Sequence, residues 1–119
     1  MNAKPAKGVA RLRVQMGPDI AIGPGKADIL EGIKETGSIA GSGRRLGMSY
    51  KRAWLLVETM NGCFREPLVE SHRGGNSRGG AVLTPAGEQV LDHYRRMERL
   101  TEQAIAPEME KLCGLLADE

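Results

Sequence analysis

Apolar residues recur along the chain with two spacings, which predict short strands in some segments and amphipathic helices in others. Polar and apolar residues alternate over Arg11–Met16, which predicts a strand, and Ile20–Ile22 follows a Gly-Pro turn as its partner strand. Gly23 then breaks the chain, and apolar residues three and four positions apart predict a helix over about 25–36. This part of the chain is therefore predicted to form a β-hairpin followed by a helix.

Two further helices are predicted next, with a very short connection between them. Ser38 is a good N-cap for a helix over Ile39–Leu46, and Gly47 is expected to end that helix. Ser49 is a good N-cap for the following helix, which is predicted to end at Gly62. Two helices joined this closely are typical of a helix-turn-helix.

A second β-hairpin is predicted after these helices. Its strands are residues 67–70 and 81–83, and the glycine-rich loop between them carries Arg73 and Arg78. Two strands around a basic loop are typical of the wing in a winged helix-turn-helix. The pattern therefore predicts an α+β fold that is mainly helical, with small β-hairpins.

A long amphipathic helix is predicted after its N-cap, Thr84. Pro85 suits the first helical position, whereas Pro107 is expected to kink or interrupt the helix. The apolar stripe of this helix is too long for the rest of the domain to cover, so we expect it to pair with a second copy; packing onto its own chain is the alternative. The predicted parts are a flexible arm (1–10), a winged helix-turn-helix DNA-binding domain (11–83) and a C-terminal dimerisation helix (84–119).

Charge divides the chain into a basic centre and an acidic end. Residues 38–80 carry seven Lys and Arg against three acidic residues, whereas residues 81–119 carry four against eight. A basic centre suits a surface that faces nucleic-acid phosphates, although ordinary variation in surface charge gives similar counts. The sequence has no apolar run of membrane-spanning length, and Cys63 and Cys113 are expected to be free thiols in a reducing cytoplasm.

The candidate DNA-binding residues lie in and around the second helix of the helix-turn-helix. Ala53 and Val57 fall on one face of that helix, and Lys51 and Arg52 fall on the opposite face. Basic side chains at the N-terminal end of such a helix suit guanine O6 and N7 in the major groove, whereas a merely solvated face is the alternative. The candidates from this pattern are Arg44, Arg45, Ser49, Lys51, Arg52, Arg73 and Arg78.

Motifs of enzymes and of metal sites are missing from the sequence. The stretch from Gly23 to Lys26 is similar to a phosphate-binding loop, but Ile20 and Ala27 stand where that motif requires Gly and Ser or Thr. The histidines and cysteines show no metal-ligand spacing. We therefore expect no enzymatic activity, no cofactor and no metal site.

Most of the chain, about residues 11–110, resembles the DNA-binding domain of the ModE family, the molybdate-responsive transcriptional regulators of bacteria. That domain is similar in fold to the LysR-type winged helix. The positions that carry the resemblance are Gly37–Ala40, Leu46–Trp54, Met60–Asn61, Pro67–Glu70, Gly79–Thr84 and Gly87.

The resemblance implies a recognition helix that begins at Ser49 and places Ser49, Tyr50, Lys51 and Arg52 near double-stranded DNA. It also implies a homodimer formed through the N-terminal strand region and the last helix. Two features depart from the family. First, Gly41–Gly43 stands where the family has alanines, so the helix predicted over Ile39–Leu46 is expected to be short or mobile. Second, the chain has no counterpart of the molybdate-binding domains, so molybdate binding is not expected.

The function predicted from the sequence is regulation of transcription, of genes for molybdenum transport or molybdenum enzymes, by a homodimer that binds a palindromic site. A winged-helix module for protein–protein assembly is one alternative. A non-specific, nucleoid-type DNA binder is the other, because its affinity would depend on salt but hardly on sequence.

Overall fold

The residues that the computed structural model describes, 8–18, 20–72 and 80–117, form two antiparallel β-hairpins and four helices. This content confirms the predicted α+β class. In chain order, the elements are β1 (Val14–Met16), β2 (Ile20–Ile22), α1 (Pro24–Thr36), α2 (Ile39–Arg45), α3 (Tyr50–Cys63), β3 (Val69–His72), β4 (Gly80–Leu83) and α4 (Pro85–Gly114).

The first strand of each hairpin differs from the prediction: β1 is shorter and begins at Val14, and β3 begins two residues later, at Val69. β1 pairs with β2 from Val14 opposite Ile22, and β3 pairs with β4 from Val69 opposite Leu83. The preceding residues use their backbone groups elsewhere: the Leu12 carbonyl accepts a hydrogen bond of 2.6 Å from the Tyr94 hydroxyl, and the Pro67 carbonyl accepts one from the Thr84 side chain. These long-range bonds hold the chain outside the ladder, which local alternation does not reveal.

Two predicted helix interruptions are wrong. Gly62 lies inside α3, which continues to Cys63 and ends at Phe64 with extended backbone. No neighbouring atom crowds Gly62 and its backbone is not left-handed, so nothing forces the helix to stop there. α4 runs through Pro107 as one helix, so the predicted interruption is wrong, whereas the alternative, a kink at Pro107, stays a prediction.

The close approach of α1 and α2 explains the unusual Gly-Ser-Gly stretch in α2. Ser42 is fully buried and donates a hydrogen bond of 2.9 Å to the Ile29 carbonyl in α1. A Cβ on Gly32 would overlap the Ser42 side chain, and a Cβ on Gly41 would lie 2.9 Å from the hydroxyl oxygen of Thr36, the last residue of α1. Small residues at this crossing therefore offset their low helix propensity by allowing contact, and α2 is short, as predicted, with seven residues.

The first part of α4 packs on the core, and the rest of the helix extends away from the core. The buried residues of α4 are Gly87, Leu91 and Tyr94, whereas Leu112 is 62% exposed. The longest dimension of the molecule is 58 Å, and its radius of gyration of 17.4 Å exceeds the roughly 13.5 Å of a compact chain of this length. The long helix therefore projects from the domain.

Arg95 fastens α4 to α1 at the point where the helix leaves the core. Its guanidinium donates to Asp28 at 2.8 Å, to Glu31 at 2.9 Å and to Glu98 at 3.0 Å. Burial by itself lowers the pKa of Arg95, but the hydrogen bonds to these carboxylates outweigh burial and raise the pKa above its usual range. Sequence patterns did not identify this cluster, because its members lie on two helices far apart in the chain.

We expect Arg95→Met to lower the free energy of unfolding by about 2 kcal/mol. Methionine keeps much of the apolar stem, but the substitution leaves three carboxylates close together without their cation. Arg99→Met is the matched control, since Arg99 is exposed on the same helix and should change stability by less than about 0.5 kcal/mol. Urea unfolding would measure both variants, and equal midpoints would contradict a stabilising role for the Arg95 cluster.

Candidate nucleic-acid interface

The connection between α2 and α3 is a tight turn closed by backbone hydrogen bonds. Gly47 has a φ of +73°, a left-handed conformation that glycine adopts without steric cost. The Gly47 amide donates to the Arg44 carbonyl at 3.1 Å, and the Met48 amide donates to the Gly43 carbonyl at 2.9 Å. Ser49 then caps α3, because its hydroxyl accepts a hydrogen bond of 3.1 Å from the Arg52 amide. The predicted pair of closely joined helices is therefore confirmed.

The two faces of α3 differ in burial as the sequence predicts. Ala53, Val57 and Met60 are buried, whereas Lys51 and Arg52 are exposed. Trp54 lies between the buried face and the basic one and is 40% exposed. The exposed face of α3 therefore presents an apolar edge beside its cations. The residues that line a shallow groove along this face are Ser49, Lys51, Arg52, Leu55, Leu56 and Thr59.

The predicted DNA-binding residues are not equivalent in the structure. Arg44, Lys51 and Arg52 are exposed, and the described part of the chain provides no carboxylate that pairs with them. Arg45, in contrast, forms an ion pair of 2.7 Å with Glu35 of α1. Of the two arginines before the turn, Arg44 is therefore the one available to a ligand without breaking an internal contact.

The other predicted contacts lie at the start of α3 and in the loop between β3 and β4. Tyr50 is more than half exposed at the first position of α3, where Ser49 is exposed as well. The Ser49 hydroxyl oxygen already accepts the capping hydrogen bond, which leaves its hydrogen for another acceptor. Arg73 and Arg78 lie outside the residues that the structure describes.

The hairpin of β3 and β4 is attached directly to the helices. The Ala81 amide donates a hydrogen bond of 2.9 Å to the Gly37 carbonyl, at the turn between α1 and α2. The Asn61 side chain accepts from the Leu68 and Val69 amides, at 2.8 and 3.1 Å, and donates to the Val69 carbonyl. Asn61 therefore ties the end of α3 to the start of β3. The available signal in the sequence was an asparagine directly before Gly62 near the end of the predicted helix, but its hydrogen-bond partners were not predicted.

The described residues contain no group of three or more His, Cys, Asp or Glu side chains arranged to hold a metal ion. Across the same part of the chain, each helix is too short or too polar to cross a bilayer.

Comparison with known proteins gives several relatives. The chain is 36% identical to the molybdenum-pterin-binding protein MopA of Rhodobacter capsulatus over 88% of its own length and 39% of that protein. It is 43% identical to MopB of the same organism over 65% of its length and 28% of that protein. The transcriptional regulator ModE of Haemophilus influenzae is 34% identical over 78% of this chain and 36% of that protein. No protein-family model matches the chain.

Over 68–87% of its length, the chain is similar to ModE proteins. This relationship is consistent with the resemblance identified in the sequence. The chain spans less than two fifths of the length of MopA, MopB and the Haemophilus ModE. The names of these three proteins describe a transcriptional regulator and two molybdenum-pterin-binding proteins, and none of the three names is that of an enzyme.

Proposed function

We propose that this ModE-like chain is a winged helix-turn-helix DNA-binding module, without enzymatic activity, that binds a palindromic site as a homodimer and regulates genes of molybdenum metabolism. In this proposal, α3 is the recognition helix and the β3–β4 hairpin is the wing. The ModE relatives support the regulatory role, because several of them are named transcriptional regulators.

The exposed basic face of α3 is the observation that carries the proposal. Lys51 and Arg52 point away from the core on a helix that a tight turn and a serine cap hold firmly. A helix with side chains is about 10–12 Å across, which fits a major groove about 12 Å wide. Both cations lie in the first turn of α3, where recognition helices contact base edges. In this proposal the exposed Arg44 before the turn contacts a phosphate, and the exposed Ser49 and Tyr50 flank the same end of the helix.

Substitution of Arg52 tests whether α3 reads bases. A preferred site is first selected from random DNA, and affinities for this site, its single-base variants and scrambled DNA are then measured. We expect Arg52→Ala to relax discrimination at one base pair in each half-site by about 1–3 kcal/mol, because alanine cannot make a bidentate hydrogen bond to guanine. Arg99→Ala removes the same charge from α4 and should leave discrimination intact. Equal losses for Arg52→Ala on every DNA sequence would argue against base contact.

The same measurements separate the alternative functions. If the wild type binds all DNA with similar affinity, the chain is a nucleoid-type binder. If it binds no DNA, the exposed leucines in and directly after α4 favour an assembly module, since Leu100, Leu112, Leu115 and Leu116 are each more than half exposed. Parallel titrations with molybdate are expected to change neither affinity nor discrimination. A molybdate effect would instead favour an oxyanion-binding role for this chain.

A further inference from the structure

A second basic groove adjoins α3 on the side of β1 and α1. Three cations from three parts of the chain line it: Arg13 directly before β1, Lys26 in the first turn of α1, and Arg52 on α3. The remaining described lining residues carry no negative charge; they are Gly23, Pro24, Gly25, Met48 and Leu56.

The local backbone adds to the positive charge of this groove. α1 begins after Gly23, which provides no side-chain cap, and the first turn of α1 contains no acidic residue. The start of α1 therefore carries the partial positive charge of a helix N-terminus. Arg13 lies next to this end, because a Cβ placed on Gly23 would be 3.9 Å from Arg13 Cγ. Arg13 is exposed, and Lys26 is half-buried beside it.

This groove is continuous with the groove on the exposed face of α3. Arg52 and Leu56 line both of them, so one surface extends from Lys51 on α3 to Arg13 and Lys26. A recognition helix nearly fills the width of the major groove, which leaves the sugar-phosphate walls beside it. Cations displaced to one side of α3 are therefore placed to meet phosphates and not base edges.

We propose that the groove lined by Arg13, Lys26 and Arg52 binds the phosphate backbone of the same DNA duplex whose bases α3 contacts. The proposal rests on the proposed function and extends the DNA-binding surface to the first hairpin and the start of α1. Arg13 and Lys26 contribute affinity without sequence preference, while Arg52 lies at the boundary between the backbone and the base contacts.

The test compares Arg13→Ala, Lys26→Ala and the double variant with Arg65→Ala in the full chain. Arg65 is an exposed cation beyond the far end of α3, a helix about 20 Å long, and its replacement removes the same charge. Affinities for the selected site and for scrambled DNA are measured between about 50 and 200 mM KCl, a range in which the salt dependence is about linear on logarithmic axes. Circular dichroism checks folding. Arg13→Lys keeps the positive charge at residue 13 and serves as the conservative variant.

We expect each of the two single substitutions to reduce the slope of log K against log salt by about 0.9 for each phosphate that is no longer neutralised, or about 1.8 in a dimer. Affinity should fall equally on specific and scrambled DNA, Arg13→Lys should recover the slope, and Arg65→Ala should match the wild type. If the wild type binds DNA but the slopes do not change, this inference is overturned while the proposed function stands. A weaker dimer with an unchanged slope would identify the groove as a subunit interface, and a wild type that binds no DNA would overturn both proposals.

Discussion

Replacement of Gly87 by alanine is expected to lower the free energy of unfolding by about 3 kcal/mol, near the upper end for overpacking. Gly87 is buried in the first turn of α4, where a Cβ would overlap the Leu68 carbonyl oxygen. Leu68 has little room to retreat, because its side chain is fully buried. Its amide also donates to Asn61, and its carbonyl accepts from the Thr84 amide at 3.0 Å. The added methyl group must therefore separate α4 from the β3–β4 hairpin.

Gly62→Ala is the matched control and is expected to have the opposite sign. Gly62 is an exposed position inside α3, and no atom lies within 4 Å of a Cβ placed there. Alanine should stabilise the helix by about 0.5–1 kcal/mol, because it restricts the unfolded chain and favours helix. Urea unfolding of both variants measures the difference. Similar midpoints for the two variants would show that α4 does not pack closely against the Leu68 backbone.

A chain that ends at Leu100 is expected to fold and to lose dimerisation, with a fall in affinity for a palindromic site of about 10²-fold or more. Folding should survive because the buried residues of α4, and Arg95 with its carboxylates, all precede the truncation. Dimerisation should fail because, of the five large apolar side chains that are exposed in and after α4, the removed segment carries three: Leu112, Leu115 and Leu116. Sedimentation equilibrium and binding to half-site and full-site DNA measure the two effects, and a truncated chain that stays dimeric would place the interface elsewhere.

A pair of point variants separates the effect of apolar packing from the effect of removing the whole segment. Leu112→Glu and Gln103→Glu each add one negative charge to the distal part of α4. By helical periodicity, Leu112 continues the face of Leu91 and Tyr94, whereas Gln103 lies nearly opposite that face. We expect Leu112→Glu to raise the dimer dissociation constant and Gln103→Glu to leave it unchanged. Equal effects of both variants would point to general charge repulsion along the helix.

Local patterns in the sequence determined the helices and hairpins to within a few residues. Capping serines at 38 and 49, a glycine at 47 and apolar spacing act over one or two turns, so they can be recognised without the fold. The division of α3 into a buried and a basic face follows from the same short-range geometry. The positions at which the prediction failed, Gly62 and Pro107, are residues whose effect depends on their surroundings.

The tertiary structure alone decided which distant residues act together. The Arg95 cluster, the Asn61 contacts and the convergence of Arg13 with Lys26 and Arg52 join elements that are far apart in sequence. The tertiary structure also distinguishes two neighbouring arginines that look equivalent in sequence, because Arg45 forms an ion pair with Glu35 and Arg44 stays exposed. The physical reason is that periodicity and capping are properties of one element, whereas contacts between elements depend on how side chains of particular size and charge pack together.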